Sequence, residues 1–190
     1  MMRKKTMILT NKQNSKCKVT HSALKGIMND GLWDYNINKR DCTRHFYEGC
    51  GAYASGYMSL DAQMLKSKER TKDHFISPQT YAYYILDNWR DFSDYEKFKK
   101  EWWFCSQTIQ VTSEENDRLK GFTINNSNTG GVIKVTTSII NRYEDAGIEL
   151  YHNNVDVVDK FPFEVSDEFL KYEKDNLLIL KEKNLLVETV

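Results

Sequence analysis

The order of apolar and polar positions in the middle of the chain predicts a short strand followed by two helices. Residues 74–76 form a short β-prone run that Pro78 stops. Ser77 before Pro78 is typical of a helix start, with Ser77 as N-cap. Apolar residues then recur at helical spacing over 81–92 and again over 95–105. This pattern indicates a two-helix segment after the first strand.

A second strand and a capped helix follow. Residues 108–111 are β-prone, and Thr112 with Glu115 three positions later forms a capping box. Gly121 is placed to end this helix. Asn116 then lies about one turn into the helix, near the positive end of its dipole, where an anion or a metal-bound phosphate is favoured.

The remaining pattern is weaker and mainly helical. We expect a helix over 20–29 ended by a glycine, loops with short elements over 32–60, a loop at 125–131, a helix over 136–146 ended by Gly147, and a charged helical region over 161–190. Leucines in that last region form a seam that could dock on the core or on a partner: Leu177, Leu178, Leu180, Leu185 and Leu186. The predicted fold class is therefore α+β, mainly helical.

The length and hydropathy of the chain limit its possible domain organisation and location. A chain of 190 residues with 40% hydrophobic content can bury one sizeable core. We divide it into three regions: a basic N-terminal region (1–65), a strand–helix–strand–helix core (66–122) and a helical acidic region (123–190). The alternative is that all three form one domain. No apolar run is long enough to span a bilayer. The apolar run after the basic start covers only 7–9, which is too short for a signal peptide, so a cytoplasmic location is expected.

The net charge of zero hides an asymmetry. Residues 1–75 carry 14 Lys and Arg against 7 Asp and Glu, whereas the rest carry 13 against 20. Local basicity is what a DNA surface needs, because phosphates dominate the affinity. The candidate DNA-contacting residues form two groups: Lys66, Lys68, Arg70 and Lys72 before the first strand, and Lys39, Arg40 and Arg44 upstream.

Asp73, His74 and Asn116 carry the chemistry of a one-metal phosphodiesterase. A neutral imidazole accepts a proton from water near pH 7. Mg²⁺ prefers hard oxygen ligands and needs only one or two from the protein, which the Asp73 carboxylate and the Asn116 amide supply. Neighbouring strand residues point to opposite faces, so Asp73 and His74 can act together only if the strand bends.

The segments RTKDHFISPQ and TIQVTSEENDRL resemble the His-Me finger (HNH, ββα-metal) endonucleases, in particular small phage-encoded ones. The resemblance covers residues 68–122. It implies a ββα-metal core and metal-dependent hydrolysis of double-stranded DNA with Mg²⁺ or Mn²⁺. It also implies that His74 is the general base and that Asp73 and Asn116 are the metal ligands.

The chain departs from the family pattern in three ways. Two helices stand where many members have a short loop. The residue that braces the catalytic histidine has no clear counterpart, with Gln110 and Asn88 as weak candidates. Many members carry a zinc knuckle, and no CxxC pair occurs here. Two other functions stay open: a catalytically inactive DNA-binding or regulatory protein of the same fold, and a protein-interaction module using the acidic C-terminus. A homodimer is also left open.

Cysteine and histidine spacing raises a separate zinc hypothesis. The five residues concerned are Cys17, His21, Cys42, His45 and Cys50. They could form a tetrahedral structural zinc site, although neither half matches a common knuckle. Reduced, partly buried cysteines are the default expectation for a cytosolic protein.

Overall fold

The computed structural model describes residues 9–29, 35–121, 123–125, 133–135, 137–152, 156–157 and 163–175. Within these ranges the protein is α+β and mostly helical, with a small mixed sheet, as the sequence predicts. The predicted leucine seam lies outside the described residues. No described helix is both long and apolar enough to cross a membrane.

The helices are α1 (Asn11–Asn29), α2 (Tyr35–Gly49), α3 (Leu60–Gln63), α4 (Pro78–Asp87), α5 (Trp89–Phe92), α6 (Tyr95–Cys105), α7 (Ser113–Gly121), α8 (Arg142–Asp145) and α9 (167–175). The strands are β1 (Tyr53–Ser59), β2 (Thr71–His74), β3 (Gln107–Val111), β4 (Thr123–Asn125), β5 (Ile133–Val135), β6 (Leu150–His152) and β7 (Asp156–Val157). A 3₁₀ turn covers Ser67–Glu69.

The main sheet has the order β2-β3-β1-β6-β7. β1 runs parallel to β3, while the β2–β3, β1–β6 and β6–β7 pairs are antiparallel. Strands from all three predicted regions therefore share one sheet, and β2 lies at its edge. β3 leads through Thr112 into α7, so an antiparallel strand pair is followed directly by a helix.

Aromatic side chains dominate the core. The largest fully buried ones are Trp102, Tyr81, Phe46, Phe75, Phe98 and Phe169. Phe169 on α9 packs against Tyr81 and Tyr84 of α4, with ring centroids 4.5 and 5.3 Å apart. Since a buried large apolar side chain stabilises by about 1.5–3 kcal/mol, these contacts fix α9 against the helical core.

The first strand is shifted from its predicted position. β2 covers the polar run Thr71–His74, paired with β3 from Thr71↔Val111 to His74↔Thr108. Phe75 and Ile76, predicted to continue the strand, are buried beyond its end. Their apolarity therefore reflects core packing and not strand pairing.

The N-terminal region is more regular than predicted. The expected loops over 32–60 are wrong, because α2 and β1 occupy most of that range. Cys42 and Phe46, four residues apart on α2, are fully buried and mark the face of that helix. α1 begins at Asn11, nine residues before the predicted start, behind a Thr10–Gln13 capping box: each residue's side chain bonds the other's backbone N–H.

The helix expected over 136–146 is reduced to the single turn of α8. Residues before it form a turn held by Glu173, whose carboxylate accepts from the Ser138 hydroxyl (2.8 Å) and the Ile139 backbone N–H (2.7 Å). This side-chain partner replaces helical hydrogen bonds at that point. The predicted stop is correct: Gly147 has φ +67°, a left-handed conformation that favours glycine.

The remaining central predictions are correct or nearly so. The helical segment over 81–92 is present but breaks at Asn88 into α4 and α5. α6 ends at Cys105 as expected, and its N-cap is Asp94, whose side chain accepts from the Lys97 backbone N–H. The capping box of α7 is confirmed, with Glu115 N–H donating to Thr112 Oγ1 (3.1 Å) and Thr112 N–H to Glu115 Oε2 (2.7 Å).

Candidate functional site

One cavity of about 530 Å³ brings together the three residues predicted to carry chemistry. Asp73 and His74 reach it from the end of β2, and Asn116 reaches it from α7. The start of α4, at Ser77 and Pro78, forms another part of its wall. Residues about forty positions apart in the sequence therefore line one surface of a size that suits a small ligand.

The Asp73 carboxylate is held by two side chains from α8. Arg142 forms an ion pair with Asp73 Oδ2, and the Tyr143 hydroxyl donates to the same oxygen (2.6 Å). Arg142 also donates to the His74 carbonyl oxygen (3.3 Å). Burial, and after it the nearby Asp73 charge, raises the pKa of Tyr143 well above its ordinary value. The phenol therefore stays protonated and acts only as a donor to the carboxylate.

The His74 ring is oriented by a backbone carbonyl. Its Nε2 lies 2.9 Å from the Gly51 carbonyl oxygen. Because a carbonyl only accepts, Nε2 carries the proton, and in the neutral ring Nδ1 keeps its lone pair. Gly51 is itself anchored, since its N–H donates to the Ser106 hydroxyl (3.1 Å). The arrangement supplies a histidine of defined tautomer at the cavity.

The two adjacent side chains engage different parts of the molecule. β2 stays in regular register with β3 up to His74↔Thr108, so strand alternation holds and the paired segment has no bend. Asp73 faces Arg142 and Tyr143, whereas the His74 ring reaches Gly51. The bend that the sequence interpretation needed is absent within β2. Both residues still contribute to the cavity, because the strand ends at His74.

Asn116 is positioned by its buried neighbour. Glu115 is buried on α7, and its Oε2 accepts from the Ser59 hydroxyl (2.5 Å) at the end of β1 as well as from the capping N–H. This fixes the rotation of α7. Asn116, Leu119 and Lys120, spaced three and four residues apart, then lie on the face that lines the cavity.

The cavity is predominantly cationic. Lys72, Lys120 and Arg142 line it, against the single carboxylate of Asp73. Lys72 is exposed, and Lys120 pairs with Asp117 at the surface (2.8 Å). The N-terminus of α4 adds the positive end of a helix dipole. These features favour an anionic ligand such as a phosphate group.

The other predicted DNA-contacting residues near the first strand differ in exposure and in partners. Lys66 and Lys68 are exposed at the 3₁₀ turn. Arg70 instead bonds internally: its guanidinium donates to the Leu65 carbonyl (2.9 and 3.1 Å) and to Gln110 Oε1 (2.9 Å). These bonds hold the turn against β3, and the assignment of Arg70 to phosphate contact stays a prediction.

The candidate brace of His74 and the second basic group are the remaining predicted positions. Gln110 accepts from Arg70, and Asn88 donates to the Tyr84 carbonyl (2.8 Å), so neither is the observed partner of His74. Arg44 lies on the exposed side of α2 in an ion pair with Glu48 (2.6 Å). Lys39 and Arg40 belong to α2, but their side chains lie outside the described residues.

The residues of the zinc hypothesis have other surroundings. His21 Nε2 bonds the Ser93 carbonyl (3.0 Å), and burial lowers the pKa of its ring. Cys17 and Cys42 are fully buried, with burial raising the pKa of the Cys17 thiol to about 11, whereas His45 is exposed. In the part of the chain that the structure describes, no three His, Cys, Asp or Glu side chains gather as a metal site.

Sequence reasoning missed the residues that surround the predicted ones. Arg142 and Tyr143 lie about seventy positions from Asp73, on a one-turn helix with no motif around it. Gly51 contributes a backbone atom, which residue type does not reveal. The Gly147 stop was the one local signal that a helix end lay nearby.

Comparison with protein-family models, with curated proteins and with solved structures found no match. The functional assignment therefore depends on the chemistry of the cavity itself.

Proposed function

We propose that the protein is a metal-dependent endonuclease that hydrolyses phosphodiester bonds in double-stranded DNA, of the HNH type that phages encode. The observation that carries this proposal is the shared cavity of Asp73, His74 and Asn116 beside an antiparallel strand pair and its following helix. Strand, strand and helix supply these residues in the order that the resemblance implies. The cationic walls of the cavity match a polyanionic substrate.

The donor set fits a hard divalent cation. Asp73 offers a carboxylate and Asn116 an amide oxygen, and Mg²⁺ or Mn²⁺ needs only one or two such protein ligands. When bound there, the ion supplies charge stabilisation for the phosphate and the leaving oxygen. A cluster of three acidic or imidazole ligands is not required for such a site.

The chain's own residues have distinct roles in this proposal. His74 Nδ1 accepts the proton of the attacking water, and the Nε2–H···Gly51 bond holds the ring in place. The Tyr143 hydroxyl orients Asp73. Lys72 and Lys120 hold the DNA backbone at the rim of the cavity.

A second candidate is a catalytically inactive DNA-binding or regulatory protein of the same fold. The specific observation in its favour is the ion pair that places the Arg142 guanidinium on Asp73, where a metal would otherwise be held. In that case the cavity binds phosphate through its cations, without hydrolysis.

A plasmid-nicking assay separates the two candidates. Purified protein is incubated with supercoiled DNA and Mg²⁺ or Mn²⁺, with EDTA as the metal-free arm. The endonuclease proposal predicts relaxed or linear DNA only with the metal, and its loss in His74→Ala. DNA binding without cleavage under every metal condition would favour the inactive protein.

A further inference from the structure

We propose that Arg142 is a phosphate-binding residue that alternates between two anions: the Asp73 carboxylate in the free protein and a DNA phosphate in the complex. The inference rests on the proposed function, because it requires that DNA enters the cavity. It assigns a substrate-contacting role to a residue outside the strand–helix motif, about seventy positions from Asp73.

The first observation is an unsatisfied donor. Arg142 is only 8% exposed, and its Nε has no hydrogen-bond partner within the described residues. Its bonds to Asp73 and to the His74 carbonyl both come from Nη2. A buried guanidinium with five donors in a planar fork normally satisfies more of them. The side chain lines the cavity while Nε itself is buried, so the guanidinium must turn before a ligand there can complete the set.

The second observation is the charge around the guanidinium. Lys72 and Lys120 line the same cavity, and α4 begins there at Ser77 and Pro78 with its positive dipole end. The positive groups outnumber the single carboxylate, which Arg142 already neutralises. An incoming phosphate adds the negative charge that this environment favours, and an arginine fork matches phosphate geometry.

The third observation concerns Asp73, which has a second donor. The Tyr143 hydroxyl bonds the same carboxylate oxygen as Arg142. When Arg142 turns to a phosphate, Tyr143 keeps the carboxylate oriented. The carboxylate charge is then released for a cation. One movement of Arg142 therefore prepares both the phosphate contact and the metal ligand.

The test is a double-mutant cycle on DNA affinity in metal-free buffer, so that it needs no catalysis. Fluorescence anisotropy with a labelled duplex gives Kd for the wild type, Arg142→Gln, Asp73→Asn and the double variant. In the wild type Asp73 competes for Arg142, so Arg142→Gln is expected to weaken binding only about two- to threefold. In the Asp73→Asn background, where Arg142 is free, the same change is expected to weaken binding about tenfold, as for one charge-assisted hydrogen bond.

Arg118→Gln is the matched control, because Arg118 is exposed on α7 and is not among the residues that line the cavity. It should change Kd by the same small factor in both backgrounds. Equal factors for Arg142→Gln in the two backgrounds would overturn the proposal and leave Arg142 a structural partner of Asp73. Arg142→Lys, which keeps the charge, repeats the cycle if the glutamine variant does not fold. A plasmid-nicking failure alone would reject the nuclease assignment without touching this result.

Discussion

Two histidines in two regions of the molecule have opposite surroundings. His21 lies in the aromatic helical region, with ring centroids 4.9 Å from Phe98 and 5.4 Å from Tyr95. His74 lies at the edge of the sheet, in a polar cavity that also contains Asp73 and Asn116. The helical region encloses its histidine in hydrocarbon and lowers its pKa, while the cavity surrounds its histidine with charged and polar groups. The difference separates a histidine packed in the aromatic core from one that lies where the proposed function needs a general base.

The largest expected effect distinguishes the two histidines directly. His74→Ala should lower metal-dependent cleavage by on the order of 10²–10⁴-fold, because it removes the general base. Its affinity for DNA should stay close to that of the wild type. His21→Ala should instead keep the cleavage rate and lower the free energy of unfolding by about 2–4 kcal/mol, through the lost packing. Single-turnover kinetics and chemical denaturation measure the two quantities.

His45→Ala is the control for both changes, because His45 is exposed on α2. Cleavage by His74→Ala at the wild-type rate would remove His74 from the mechanism and with it the contrast between the two regions.

The next effect concerns the oxygen donors. Asn116→Ala should lower cleavage by on the order of 10²-fold and raise the Mn²⁺ concentration needed for half-maximal rate, because a metal supplies several kcal/mol of charge stabilisation. Glu114→Ala, at an exposed position in the first turn of the same helix, should leave both values unchanged. An unchanged Mn²⁺ requirement in Asn116→Ala would exclude the amide as a ligand.

The pH dependence of the free energy of unfolding tests the aromatic helical region around His21. Burial lowers the pKa of His21 in the folded protein, so the folded state favours the neutral ring. The stability from His21 is complete above the unfolded pKa of about 6.5 and is lost as the pH falls toward the folded pKa. His21→Gln cannot titrate there. The free energy of unfolding should therefore fall less between pH 7 and pH 5 in His21→Gln than in the wild type.

Two other buried groups titrate with the opposite sign. Burial raises the pKa of Glu101 and of Glu173, so their contributions are present at low pH and are lost as the pH rises. Both groups are common to the wild type and His21→Gln, so the difference between the two curves isolates His21. Parallel curves would show that His21 does not titrate differently in the folded state.

The smallest effects are expected at the exposed lysines of the 3₁₀ turn. Lys66→Glu and Lys68→Glu should weaken binding to all DNA sequences about equally and reduce the slope of log affinity against log salt by about 1 each. Lys171→Glu and Lys174→Glu, at exposed positions on α9, should change neither. A larger effect of the α9 pair would place the DNA against α9 and not against the 3₁₀ turn.

The central helices and the capped helix could be predicted from sequence because their signals are local. The Thr112–Glu115 box is one such signal, and it is confirmed in both hydrogen bonds. The N-terminal helices were underpredicted because α2 is polar over most of its length. Among its described side chains, at 41–49, those of Cys42, Thr43 and Phe46 are buried. The strand at 74–76 was misplaced because apolarity indicates burial as readily as strand pairing.

The site was only partly predictable for a related reason. Asp73, His74 and Asn116 follow a spacing that can be read along the chain, and the structure brings all three to one cavity. Arg142, Tyr143 and the Gly51 carbonyl reach them only through tertiary packing, so no local pattern marks them. Arg70 shows the converse. It belongs to a basic run in the sequence, but its guanidinium donates hydrogen bonds to the internal partners Leu65 and Gln110.

The most direct test of the account is the location of bound Mn²⁺ in a crystal of the protein with duplex DNA, read from its anomalous signal. The account predicts a peak with the Asp73 carboxylate and the Asn116 amide oxygen each at ~2.1–2.3 Å, since the site takes a small hard cation. It also predicts that Arg142 has left Asp73 for a phosphate oxygen. Mn²⁺ bound elsewhere, with the Arg142–Asp73 pair intact beside the DNA, would contradict the proposed nuclease site.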